Sequence, residues 1–140
     1  MAPRPVGYSG SPLAKKLGIK PGHTVAVLDE PEGFREWLEP HEARLRKSLG
    51  RDPDVVVAFA TSRRVLERRI LAASEVIFPD GSLWVAWPKK ASKVPTDITE
   101  DVVRELALPL GLVDNKVCAI SEIWSGLRLV WRRSERSRRG

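Results

Sequence analysis

The chain has 140 residues, 42% hydrophobic and 30% charged, with a net charge of +6, one cysteine and five tryptophans. That is the length and balance of one ordinary globular domain, able to bury roughly two thirds of the surface that its unfolded chain exposes. No stretch approaches the roughly 20 consecutive apolar residues of a membrane span. The opening residues MAPRPVGYSG lack a signal-like apolar core, and Cys118 alone cannot form an internal disulfide, so a cytoplasmic protein is expected.

The excess charge is local. Residues 132–140, RRSERSRRG, hold five arginines and one glutamate and so supply +4, leaving only +2 for residues 1–131. The pattern predicts one domain over 1–131, with an N-terminal arm over 1–9, and a disordered Arg-rich tail over 132–140. A solubilising terminus is the plainer reading of that tail; contact with nucleic acid through Arg132 to Arg139 is the functional one.

In chain order, Ser11 and Pro12 suit an N-cap and first helical position, Leu13, Ala14 and Leu17 line one face, and Gly18 suits the left-handed residue after a helix. HTVAVL (23–28) is apolar on both faces and reads as a buried strand ending at Asp29. Residues 33–38 form a short helix with Phe34, Trp37 and Leu38 inward, stopped by Pro40. Over 41–49, Ala43, Leu45 and Lys47 alternate with Glu42, Arg44 and Arg46, which fits an edge strand or a helical turn. DVVVAFA (54–60) is a second buried strand. Thr61 and Ser62 are N-caps for a helix to about residue 74, with Val65, Leu66, Ile70 and Ala73 facing inward.

The third buried strand is central: SLWVAWPKK (82–90), entered by the turn Pro79-Asp80-Gly81 and opening into a cationic loop over 91–99. Pro88 has no N–H for a ladder bond, so pairing ends there. Trp84 and Trp87 lie three residues apart and therefore point to opposite faces. Thr99 caps a helix carrying Val102, Val103, Leu106 and Leu110, which Pro109 and Gly111 end. Residues 116–120 and 127–131 are strands of an antiparallel hairpin, with 121–126 as its loop and Trp124 at the tip.

Buried strands alternating with helices predict an α/β fold: a three-layer, Rossmann-like, mostly parallel sheet with a C-terminal antiparallel hairpin. KPGHTVAVLD (20–29) resembles the entry to the first strand of class I methyltransferase-like Rossmann domains, and FPDGSLWV (78–85) resembles the turn before their fifth strand. This resemblance implies a truncated domain of that kind, one strand–helix unit short. It also implies a glycine-rich loop for adenosylmethionine after the first strand, where this chain has Asp29-Glu30-Pro31-Glu32-Gly33. An acid for the ribose hydroxyls is missing from 45–50 as well. Pro31 offers no N–H and the acids repel anions, so adenosylmethionine is disfavoured as cofactor though not excluded. The runs 7–22, 87–92 and 99–130 also resemble a family of short bacterial proteins known as a domain of unknown function, which implies no activity.

Ligands of open α/β sheets bind at the carboxyl ends of the strands. That rule selects Lys89, Lys90, Ser92, Trp87, Thr96, Asp29 and Ser62. The lysines and hydroxyls suit an anion; solvated loop lysines are the equal alternative. Asp29, Glu30 and Glu32 read as a base, as metal ligands or, more plainly, as helix-capping acids, and no spacing completes a metal set. His23, His41 and Cys118 read as structural. The expected function is non-catalytic binding of an anionic small molecule or a protein partner at these ends. The alternatives are a degenerate or atypical adenosylmethionine-dependent methyltransferase, and a nucleic-acid-associated protein using the tail. No membrane association is expected, and oligomerisation stays open.

Overall fold

The computed structural model describes residues 12–138, so the expected N-terminal arm and the Ser11 cap lie outside the described residues. The elements are α1 (Leu13–Lys16), β1 (Thr24–Leu28), α2 (Phe34–Leu38), β2 (Arg44–Arg46), β3 (Val55–Phe59), α3 (Arg63–Ile77), β4 (Ser82–Pro88), α4 (Glu100–Ala107), β5 (Leu112–Ala119), β6 (Trp124–Trp131) and α5 (Arg133–Arg138). Six strands form one sheet in the order β2-β1-β3-β4-β6-β5. The ladders β2-β1, β1-β3 and β3-β4 are parallel, and β6 runs antiparallel to both β4 and β5. No helix among the described residues is long and apolar enough to cross a membrane.

The three doubly apolar stretches are the three inner parallel strands, and each is covered on both faces. Ala26, Val56, Ala58, Leu83 and Val85 pack beneath Leu66, Ile70 and Ala73 of α3 and Val103 and Ala107 of α4. Val25, Val27, Val55, Val57 and Trp84 pack against Leu13 and Ala14 of α1 and Phe34 and Leu38 of α2. Burying each such side chain is worth about 1.5–3 kcal/mol, so a slip of one residue would cost the whole set. Trp84 and Trp87 fall in opposite layers, as their spacing requires.

Within 41–49 the strand reading holds for three residues only, the edge strand β2, whose Leu45 pairs with Val25. The hairpin differs from expectation. Trp124, Ser125 and Gly126 belong to β6, opposite Pro88, Trp87 and Ala86, so the connection shrinks to residues 120–123. Gly126 lies within β6, where an added Cβ would sit 2.9 Å from Ile120 Cδ1 and 3.2 Å from the Trp84 ring. The tail expected to be disordered over 132–140 is corrected in part: 133–138 is helix. Arginine is a good helix former, and the carbonyl of Trp131 accepts a hydrogen bond from Arg136 Nε at 3.1 Å.

The Trp84 indole ties the layers together, donating from Nε1 to the Leu17 carbonyl at 2.9 Å in the buried core. Trp84→Phe keeps most of the ring volume but leaves that carbonyl unsatisfied. Urea unfolding should show a loss of about 1–3 kcal/mol; a loss below a few tenths would mean that water reaches Leu17.

Candidate functional site

From β1 the chain passes through α2 to β2 on one side, then crosses back to β3 on the other. The connections diverge at β1 and β3, and such a switch point leaves an open crevice at the carboxyl ends of the two strands. Two adjoining clefts occupy it. One, of about 210 Å³, is lined by Asp29, Phe59, Ala60, Thr61, Ser62, Val65 and Trp124. The other, of about 460 Å³, is lined by Val27, Asp29, Glu30, Arg35 and Lys47. Asp29 is common to both.

Asp29 leaves β1 at φ 56°, a left-handed conformation that aspartate tolerates better than most residues. Its Oδ2 accepts from Arg69 Nη2 at 2.8 Å, while Oδ1 has no protein partner among the described residues. Arg69 Nε is buried beside this pair without an acceptor among the described residues. Glu30 is held by a bidentate fork from Arg35, with Nε at 3.0 and 3.1 Å and Nη2 at 3.0 Å. The two acids after β1 are therefore partly neutralised by arginines on α2 and α3. The repulsion expected of them is weaker than their sequence implies.

The opposite wall is aromatic. Phe59 packs edge-to-face against Trp124 and against Phe34, each with ring centroids 5.0 Å apart. Trp124 is half-buried at the mouth because β6 extends as far as Pro88.

Of the residues selected from sequence, Asp29 and Ser62 line the smaller cleft. Lys89, Lys90, Ser92, Thr96 and Trp87 line neither cleft. Trp87 is only 6% exposed, packed in the α3–α4 layer with Ile98, so it is a core residue and does not flank a ligand. Lys89 is half-buried, its amide donating to the Ile123 carbonyl at 2.7 Å; Lys90 is exposed.

The hydroxyls are committed locally. Ser62 Oγ caps α3 by accepting from the Val65 amide at 3.4 Å. Ser92 Oγ donates to the Lys89 carbonyl at 2.6 Å, and Thr96 Oγ1 donates to the Thr61 carbonyl at 2.6 Å. The α3 N-terminus, where an anion would be drawn, already holds one: Asp97 Oδ1 accepts from the Arg63 amide at 2.6 Å. An incoming anion would have to displace Asp97.

Sequence reasoning missed Arg69, whose partner Asp29 lies 40 positions away, and also Arg35 and Lys47, which reach the larger cleft from α2 and from just beyond β2. Trp124 was visible but placed on a tip.

The other titratable candidates are structural. His23 Nδ1 accepts from the Lys20 amide at 3.1 Å and His41 Nδ1 from the Ala43 amide at 3.0 Å. Burial pushes the Cys118 thiol above its usual pKa, with Lys116 and Lys16 opposing, the wrong net direction for a nucleophile. No group of three or more His, Cys, Asp or Glu side chains suited to a metal occurs among the described residues.

Asp97→Ala should destabilise the protein by about 1 kcal/mol in thermal denaturation, as for loss of an N-cap, with Asp97→Asn in between. No change would mean that Asp97 is a bystander at α3.

No protein-family model and no curated protein sequence matches the chain. Solved structures do match in fold. A SAM-dependent methyltransferase from Aquifex aeolicus aligns with TM-score 0.61 and 13% identity, covering 84% of this chain and 86% of that one. Magnesium protoporphyrin IX methyltransferase from Synechocystis PCC 6803, solved with bound SAM, gives TM-score 0.55 and 12% identity over 85% of this chain and 74% of that one. Ribosomal protein L11 methylase from Lactobacillus delbrueckii subsp. bulgaricus gives 0.53 and 12% over 86% and 75%. The chain thus has the α/β Rossmann-like methyltransferase fold, with a mostly parallel sheet and antiparallel C-terminal strands.

Proposed function

We infer that the chain is an atypical adenosylmethionine-binding domain of the methyltransferase fold, taking an adenosine-type ligand in the switch-point crevice. The observation that carries this reading is the pairing, across one cleft, of a carboxylate at the end of β1 with an aromatic wall at the end of β3. An Asp29 Oδ1 without a protein partner among the described residues supports an acceptor role toward ribose hydroxyls or an amine, and Trp124 in the same cleft supports a ring contact with a base. Pro31 still removes one backbone donor. The amides of Glu30 and Gly33, however, have no acceptor among the described residues, so the loop retains donors without a glycine-rich sequence. The solved structures of this fold include two with bound SAM, which supports the choice of ligand to try first.

A second reading keeps the cationic loop. Lys89 and Lys90 form no ion pair among the described residues, and Val94 and Ile123 are exposed beside them. That combination suits an anionic ligand or a protein partner without any chemistry.

Isothermal titration with adenosylmethionine and adenosylhomocysteine separates the two. The first reading predicts binding of either that weakens at least tenfold in Trp124→Ala and in Asp29→Ala, with Lys90→Gln leaving it unaffected. No heat with either ligand would remove the first reading. Dependence on Lys90 alone would transfer the site to the cationic loop.

A further inference from the structure

The opposite end of the sheet carries a feature that the crevice does not use. β5 and β6 pair Lys116 directly with Arg128, so two cations stand opposite one another on one face of an antiparallel ladder. Like charges in that position destabilise a sheet, and the usual remedy is an acid at one of the two sites. Here Asn115, beside the irregularity between Asp114 and Lys116, instead accepts from Arg128 Nη1 through Oδ1 at 3.2 Å and so aims the guanidinium. Lys116 Nζ donates to the Lys16 carbonyl at 2.8 Å, which adds Lys16 to the same surface.

A second arginine, Arg136 of α5, lies close enough to Arg128 to act on it electrostatically. Burial first, and then Arg136, pull Arg128 below its ordinary pKa. No carboxylate forms an ion pair with Lys116, Arg128 or Arg136 among the described residues. Elsewhere the fold does neutralise its arginines, as Arg35, Arg69 and Arg104 attest.

Arg128 also walls a cleft of about 470 Å³ beneath the N-terminal ends of β1, β3 and β4, together with Lys20 and His23. Asp52, Asp54 and Asp80 line that cleft too, so a polyanion is confined to the β6 side, where it runs on toward exposed Arg132 and Arg133. A single phosphate would need one or two of these cations. A row from β5 through β6 to α5 matches a repeating chain of phosphates, in which each neutralised position releases counterions.

We propose that Lys116, Arg128 and Arg136 form a nucleic-acid backbone interface on the α1 face of β5 and β6, with α5 as its extension. This assigns the basic end of the chain a folded platform and not only a charged terminus. It stands apart from the crevice at the carboxyl ends of the strands.

Fluorescence anisotropy of the full chain with a labelled mixed-sequence 20-nucleotide single strand, followed from about 50 to 200 mM salt, tests it. The expected result is binding whose log–log salt slope falls by about 0.7 in Lys116→Gln and again in Arg128→Gln. Arg64→Gln, on α3 across the sheet, should leave affinity and slope unchanged. Lys116 and Arg64 are exposed, and thermal denaturation of each variant verifies folding. Absence of binding at 50 mM salt would overturn the proposal. So would a slope unaffected by both Lys116→Gln and Arg128→Gln, or one that falls equally in Arg64→Gln.

Discussion

Both faces of β1, β3 and β4 are apolar, and that constraint governs the rest of the molecule. Strands of this kind need helices above and below, and parallel neighbours need crossover connections to supply them. Once β2 is placed on one side of β1 and β3 on the other, the chain must diverge at a single point. The crevice at Asp29 and Thr61 follows from that divergence, whatever residues line it. The short helices α1 and α2 matter mainly as covers. The Trp84 to Leu17 hydrogen bond fixes the end of one of them against the middle of the sheet.

Around the crevice the fold satisfies its own charges. Asp97 serves the α3 N-terminus, Arg69 holds Asp29, and Arg35 clasps Glu30. Many polar groups that look available in the sequence are thus engaged, and what stays open among the described residues is one carboxylate oxygen, Lys47, Arg69 Nε, a few loop amides and an aromatic wall. The nucleoside reading proposed above rests on that remainder. At the other end the pattern reverses: Lys116 and Arg128 stand opposite one another, and no carboxylate forms an ion pair with either among the described residues. The two ends differ in whether the protein neutralises itself, and the two proposals rest on that contrast.

The inner strands were legible because two-sided burial demands an unbroken apolar run, as HTVAVL, DVVVAFA and SLWVAW provide. β2 was ambiguous because a three-residue edge strand buries little and its alternation is carried by arginines. The hairpin was read short because Ser125-Gly126 has turn chemistry; the glycine is instead required by the bulk of Trp84 and Ile120. Asp97 with Arg63 and Arg69 with Asp29 join residues 34 and 40 positions apart, and no local pattern announces such pairs. Lys89 and Lys90 were selected by their position after the central strand. They lie outside the clefts, beyond the strand's last paired residues, Pro88 and Trp124.

The account turns on the crevice between β1 and β3 being the place where a ligand enters. Amide and indole NMR shifts recorded during titration with adenosylhomocysteine address this directly. The account predicts that perturbations centre on Asp29, Glu30, Thr61, Ser62 and the Trp124 indole, with the Lys90 and Arg128 regions unchanged. Perturbations confined to residues 89–96, or to β5 and β6, would contradict it.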